Sequence, residues 1–307
     1  MPLLKTLNLF SNYINVVSDS DFQRVSLARK LQLHLPYNNL RDDFWRGFPS
    51  LLRLYLAGNR LTRVIAMPTS LKTLHMENNL IQSVEELKKL EVLEILNLSE
   101  CRFLALTQSG LIRMPFLYAP YLMTLVLSYN EIVSISPLMS SRVFGLASLH
   151  LNKNHLTSIP ARSFANCCPS LDEIDIADND IRYIEHSAFY GTILATVRLD
   201  GNELMTTSPG GLSTFLALRL ARNPWRCDCE IVPFRDWLLR QLKGLSDSIV
   251  CSTPLAYKGI DVKHVPISNV CLAGPPAREV FPLNSDVLSM SSSASPSIGE
   301  TLKPVHE

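Results

Sequence analysis

The feature that most constrains this chain is a frame that recurs ten times, with apolar residues at positions 1, 4, 6 and 11 and Asn at position 9, as in Leu4, Leu7, Leu9, Asn12 and Ile14. The position-9 residues are Asn12, Asn38, Asn59, Asn79, Cys101, Asn130, Asn154, Asn179, Asn202 and Asn223, and they advance by 26, 21, 20, 22, 29, 24, 25, 23 and 21 residues. Leucine fills most of the apolar positions and reaches 51 of 307 residues. Alternation at positions 4 and 6 has the two-residue period of a strand, so each copy predicts one short strand with positions 3, 5 and 7 on its other face. A single copy cannot cover its own apolar face. Copies stacked as parallel strands about 4.8 Å apart share one continuous core. Position 9 falls where the backbone leaves the strand, and a buried carboxamide there can donate to and accept from otherwise unpaired backbone groups. Cys101 can do so only weakly.

The frame resembles that of the leucine-rich repeat family over residues 3 to 225. The resemblance implies an α/β repeat fold, a horseshoe-shaped solenoid with a parallel β-sheet on its concave side. Aromatic anchors, Phe22, Phe44, Phe48, Phe164 and Phe189, are expected to fill the wider convex layer. The interval from Cys101 to Asn130 is the longest and holds Pro115, Phe116, Tyr118, Pro120 and Tyr121, which predicts a bulge or protruding loop.

Four of the seven cysteines follow the last repeat, Cys227, Cys229, Cys251 and Cys271, spaced Cys-x-Cys, 21 residues, Cys, 19 residues, Cys. Spacing alone leaves three connectivities open. A zinc site is disfavoured because the paired Cys-x-x-Cys spacing is missing. The segment Asn223-Pro224-Trp225-Arg226-Cys227-Asp228-Cys229 is similar to the C-terminal cysteine-rich cap of extracellular leucine-rich repeat proteins. That resemblance implies a disulfide-bonded cap over residues 223 to 272, with Cys227 bridged to Cys251 and Cys229 to Cys271, and hence an oxidising compartment. A helix near Pro233 to Leu242 is expected to turn Phe234, Trp237 and Leu238 onto the open end of the core. Cys167 and Cys168 are adjacent, and neighbouring cysteines seldom bridge each other, so the expectation is buried free thiols, the alternatives being one buried and one exposed or one paired outside this chain. Residues 273 to 307 include Met290-Ser291-Ser292-Ser293-Ala294-Ser295 and are expected to form a flexible tail.

Lys plus Arg number 29 against 28 Asp plus Glu, a net charge of +1 that provides no field for attracting nucleic acid. No window has the roughly 18 uninterrupted apolar residues of a membrane span, and no secretory signal precedes Leu4. The N-terminal cap usual in the resembling extracellular family is missing as well. The sequence is therefore expected to be a fragment of a secreted or cell-surface protein, whose longer form could carry an anchor.

Position 5 gives a column expected to face solvent: Asn8, His34, Tyr55, His75, Asn97, Val126, His150, Asp175, Arg198 and Arg219. Its early part, joined by Tyr37, mixes tyrosine with imidazole and suits hydrogen bonding to a partner. Asp172, Glu173, Asp175 and Asp178 make an acidic cluster in the eighth repeat, and Arg198, Arg219 and Arg222 follow within about 10 Å by strand spacing. A change of sign over so short a distance can orient a partner of complementary charge. Asn97-Leu98-Ser99 is a glycosylation sequon and would place a glycan on the concave face. Calcium at the acidic cluster lacks the turn Gly and terminal Glu of an EF-hand, and His34 and His75 are too far apart in the array to share a zinc ion. No cofactor is expected. With no nucleophile elbow, phosphate-cradling loop or His-Glu-x-x-His helix, the chain is not expected to be an enzyme. The expected function is non-enzymatic recognition of a protein ligand on the concave face of a receptor or adhesion protein, the alternative being a structural component that organises other matrix molecules.

Overall fold

The computed structural model describes residues 4–18, 31–42, 45–46, 51–65, 67–81, 84–101, 117, 119–136, 141–212, 215–240 and 248–266. Ten strands, Thr6–Asn8, Leu31–His34, Leu51–Tyr55, Thr73–His75, Ile95–Asn97, Thr124–Val126, Ser148–His150, Glu173–Asp175, Thr196–Arg198 and Ala217–Arg219, lie side by side in chain order in one parallel sheet. Register is kept along the whole array. Leu7 pairs with Leu33, Leu33 with Leu54, Leu54 with Leu74, and so on through Leu96, Leu125, Leu149, Ile174, Val197 and Leu218. All of this row is buried except Leu7, on the first strand, whose outer edge has no neighbouring strand among the described residues. Each buried aliphatic side chain contributes about 1.5–3 kcal/mol, so the row and the position-6 row behind it carry much of the core.

After every strand the residue at position 8 has positive φ, from Ser11 at 55° and Tyr37 at 54° to Asp178 at 51°, Gly201 at 69° and Arg222 at 55°. This left-handed residue turns the chain toward the convex side, and position 9 then closes the turn. Asn179 is typical: its amide donates to the carbonyls of Leu151, Ile176 and Ala177 at 3.0–3.1 Å, while its oxygen accepts from Leu156 N–H at 3.0 Å. Asn59, Asn79 and Asn223 make the same bonds in their own repeats. One side chain therefore ties two repeats together. At Cys101 the ladder is reduced to a sulfur contact with the Met76 carbonyl at 3.6 Å, and burial pushes the thiol up to about 12, so it stays protonated.

On the convex side, Ser158–Ile159 pairs with Tyr183–Ile184, and Val17–Ser18 with Trp45–Arg46. Phe164 and Phe189 stack with ring centroids 5.8 Å apart, and Phe215 meets Phe189 edge-on at 5.6 Å. Phe22, Phe44 and Phe48 lie outside the described residues, as do Pro115, Phe116 and Tyr118 of the long interval. Leu117 is held by the Arg142 N–H at 2.8 Å, and Leu117 and Leu122 are both buried in the core.

Behind the last strand, Trp225 and Phe234 stack at 4.8 Å, both fully buried. Phe234 and Leu238 face inward from the helix Val232–Arg240, which thus covers the end of the core, and Trp237 packs against it. Cys227 is bonded to Cys251, with Cα atoms 5.7 Å apart, joining the strands Trp225–Arg226 and Cys251–Thr253. Cys229 is disulfide-bonded as well. Cys271 and the tail 273–307 lie outside the described residues. Cys167 and Cys168 differ from expectation. A tight turn, closed by Cys168 N–H donating to the Phe164 carbonyl at 3.0 Å, directs both side chains inward, and they are bonded to each other rather than free.

Candidate recognition surface

The position-5 column exists in register, because Asn8, His34, Tyr55, His75, Asn97, Val126, His150, Asp175, Arg198 and Arg219 pair in turn across neighbouring strands. At its N-terminal end Tyr55 is sandwiched between two imidazoles. Its ring lies 4.1 Å from that of His34 at 10° and 4.9 Å from that of His75 at 22°. Strand spacing of about 4.8 Å is the reason, since flat rings on successive strands at the same register meet face to face. Burial, and then the charge of His75, hold the His34 imidazole below its ordinary value. His75 Nδ1 is 3.5 Å from the Glu77 carboxylate. Tyr37, at the neighbouring turn, lies over Gly58, where a Cβ would come within 2.5 Å of its ring, and meets Phe10 edge-on at 5.4 Å.

The middle of the column is quieter. Asn97 Oδ1 accepts from Ser99 N–H at 3.0 Å and from the Ser99 hydroxyl at 2.8 Å, which ties the sequon into the sheet face. His150 shares a hydrogen bond of 2.9 Å with Ser148.

At the C-terminal end the acidic cluster and the arginines face one another. Asp175 does not present its carboxylate to solvent as the column suggested. It is buried, accepts from Ala177 N–H at 3.1 Å, and lies 3.2 Å from Arg198 Nη1 on the next strand. Asp178 and Asp200 share Arg222, at 2.9 and 2.8 Å, and together they keep its guanidinium above its ordinary value, the Asp200 hydrogen bond contributing most. The ion pair crosses Gly201, where an added Cβ would fall 2.2 Å from Asp178 Oδ1 and 3.1 Å from Arg222 Nη1. Asp172, Glu173 and Arg219 have no ion pair among the described residues, so their charges are not neutralised by a partner there. Glu77 and Asp200, both at position 7, were missed by the column reading. An acid two residues beyond position 5 was the available signal.

Among the described residues no helix is long and apolar enough to cross a membrane. Residues 144–204, which contain three of the repeats, match the family model described as leucine rich repeat. Podocan of Mus musculus is 32% identical over 234 residues, covering 72% of this chain and 37% of that protein. Human podocan-like protein 1 is 32% identical over 294 residues, covering 90% of this chain and 55% of that protein. The chain thus spans about a third to half the length of these relatives. Relatives of this chain are extracellular-matrix or cell-surface proteins. The fold is shared with a chain of the octameric complex of Latrophilin 3, Unc5D and FLRT2 (LRR), at TM-score 0.61 and 22% identity, covering 89% of this chain and 78% of that one. With its ten-strand sheet, its asparagine ladder and its cysteine-rich cap, the chain belongs to the leucine-rich repeat family.

Proposed function

We propose that this chain is a non-enzymatic recognition module that works outside the cell or at its surface and binds a protein ligand on its concave face. The observation that carries the reading is the in-register column of chemically varied side chains, open to solvent apart from Asp175, aromatic at one end and charged at the other, on a scaffold whose apolar positions are spent on packing. Relatives of extracellular type and the disulfide in the cap support the compartment. The complex that contains a chain of like fold supports a protein ligand. Its relatives named podocan also leave room for a structural role in the matrix, which would use the same surface.

The test uses residues that carry no ion pair among the described residues, Arg53 and Arg219 exposed and Glu173 half-buried. A secreted preparation of the chain is screened against an array of extracellular protein domains. Any partner found is then tested with Glu173→Arg, Arg219→Glu and Arg53→Glu, each checked for an unchanged melting curve. Loss of at least tenfold in affinity in one of them supports the concave face. A partner whose affinity none of them moves would place its binding elsewhere. Changing Asp175 and Arg198 is unsuitable, because both belong to a pair that holds two strands together.

A further inference from the structure

The three rings at the N-terminal end of the concave face have spent their faces on one another, while of their polar edges His75 alone meets a partner among the described residues, Glu77. His34 and Tyr55 have no hydrogen-bond partner for their ring nitrogens or hydroxyl among the described residues, although all three side chains are only half-buried. Stacking at 4.1 and 4.9 Å leaves a row of polar edges open to the bowl, at a spacing close to that of successive strands. We propose that this row docks a carboxylate-rich peptide segment of a protein partner, and that His34 and His75 take up protons as it binds. The inference rests on the concave-face reading and adds the chemistry of the ligand.

Charge around the row favours an acid. Arg53 projects from the same face of the strand as Tyr55, two residues and about 7 Å away, is exposed, and has no ion pair among the described residues. The acids close by are engaged or turned aside. Glu77 faces His75, Glu94 is held by Lys72, and Glu100 sits at an exposed turn beyond Asn97. The flanking strands bring no further charge onto the row, since Thr6 and Asn8 on one side and Ile95 and Asn97 on the other are neutral. Two protonated imidazoles beside Arg53 therefore turn a nearly neutral strip into a cationic one. Alone, the His34 imidazole resists protonation, because burial and then the charge of His75 oppose it. A carboxylate laid along the edges favours the charged imidazole by its opposite charge, which by linkage tightens its binding as pH falls.

The test uses the whole chain and a labelled octaglutamate peptide, followed by fluorescence anisotropy at pH 7.5 and 5.5. Octaglutamine, octalysine and a hyaluronan oligosaccharide are run as comparisons. We expect octaglutamate to bind about tenfold more tightly at the lower pH, equivalent to about 1.4 kcal/mol, and the His34→Gln/His75→Gln variant to lose that gain. Because the double variant could fold poorly, the imidazole NMR signals of the unaltered protein supply a second readout, with the titration of His34 moving to higher pH when octaglutamate is present. Octaglutamate binding that ignores pH, or histidine signals that ignore the peptide, would overturn the proposal. A hyaluronan oligosaccharide that binds more tightly than the peptide, with the same pH dependence, would overturn the choice of a peptide. A partner lost with Arg219→Glu but indifferent to both histidines would leave the concave reading standing while this inference falls.

Discussion

Arg198 lies across the neighbouring strand from Asp175 and covers it, with Nη1 3.2 Å from Oδ2, so the acid at the centre of the charged patch is a structural group. The arginine is partly open to solvent while the aspartate is almost wholly buried, and Arg198 Nε has no partner of its own. Removing the cation would leave a buried carboxylate supported only by the Ala177 N–H. We expect Arg198→Ala to cost about 2 kcal/mol of folding stability, in the range for stranding a buried polar group. Adding Asp175→Ala should recover part of that loss. Urea unfolding of the two single variants and the double variant checks the sign, and strict additivity would show that the pair does not act as a unit.

The asparagine ladder makes its own predictions, at a complete rung and at Cys101, where the carboxamide is missing. Asn154 donates to the Leu127 and Leu151 carbonyls at 3.0 and 2.9 Å and accepts from Ile132 N–H at 2.9 Å, all buried. Asn154→Ala should therefore cost about 3 kcal/mol, since several backbone groups lose their partners together. Cys101→Asn runs the other way. A carboxamide there would have the Met76 and Leu98 carbonyls as acceptors, as its counterparts do, and should stabilise the fold by about 1 kcal/mol. Parallel urea curves with shifted midpoints in opposite directions are the expected result.

Much of this was legible in the sequence because the repeat is redundant. Each strand is three to five residues of weak signal, but ten copies in one frame placed every concave strand, and the column from Asn8 to Arg219 followed from counting. The left-handed residue at position 8 was not legible. Only Gly58 and Gly201 betray it, and the other eight repeats place Ser, Tyr, Asn, Glu, Lys, Asp or Arg there, held by the turn that the asparagine closes. Side-chain pairing was also hidden. A column names which residues share a face, but whether Asp175 meets solvent or Arg198 depends on side-chain reach across one strand spacing, which no single-repeat pattern encodes. The bond between Cys167 and Cys168 escaped for a related reason, since the general rarity of such bridges says nothing about one particular turn.

The cap should depend on its disulfide. Cys227 and Cys251 close a loop of 24 residues, for which the chain-entropy relation gives about 3 kcal/mol. Cys251→Ser should lower stability by about that amount and expose the packing of Trp225 on Phe234 to water, seen as a red shift in tryptophan emission. Alkylation without reduction, followed by peptide mass analysis, should find both cysteines protected in the unaltered chain.

Stability should also fall in mild acid, and the imidazole of His34 fixes the direction. Burial and the neighbouring His75 hold its folded-state value below the ordinary 6.5, so the unfolded chain binds that proton more readily than the folded one. Where the unfolded state holds more protons, stability rises with pH. The contribution of this histidine is therefore intact above about 6.5 and is lost as pH drops through that value toward the lower one of the folded state. His34→Gln removes the titrating group but keeps a polar side chain of similar reach. Melting temperatures measured from pH 7.5 to 5.0 should decline less in the variant than in the unaltered chain. Parallel declines would assign the acid sensitivity to other groups. An acidic peptide laid along the rings should flatten the slope in the unaltered chain, since it makes the protonated imidazole welcome in the folded state and so reverses the preference that produces the decline.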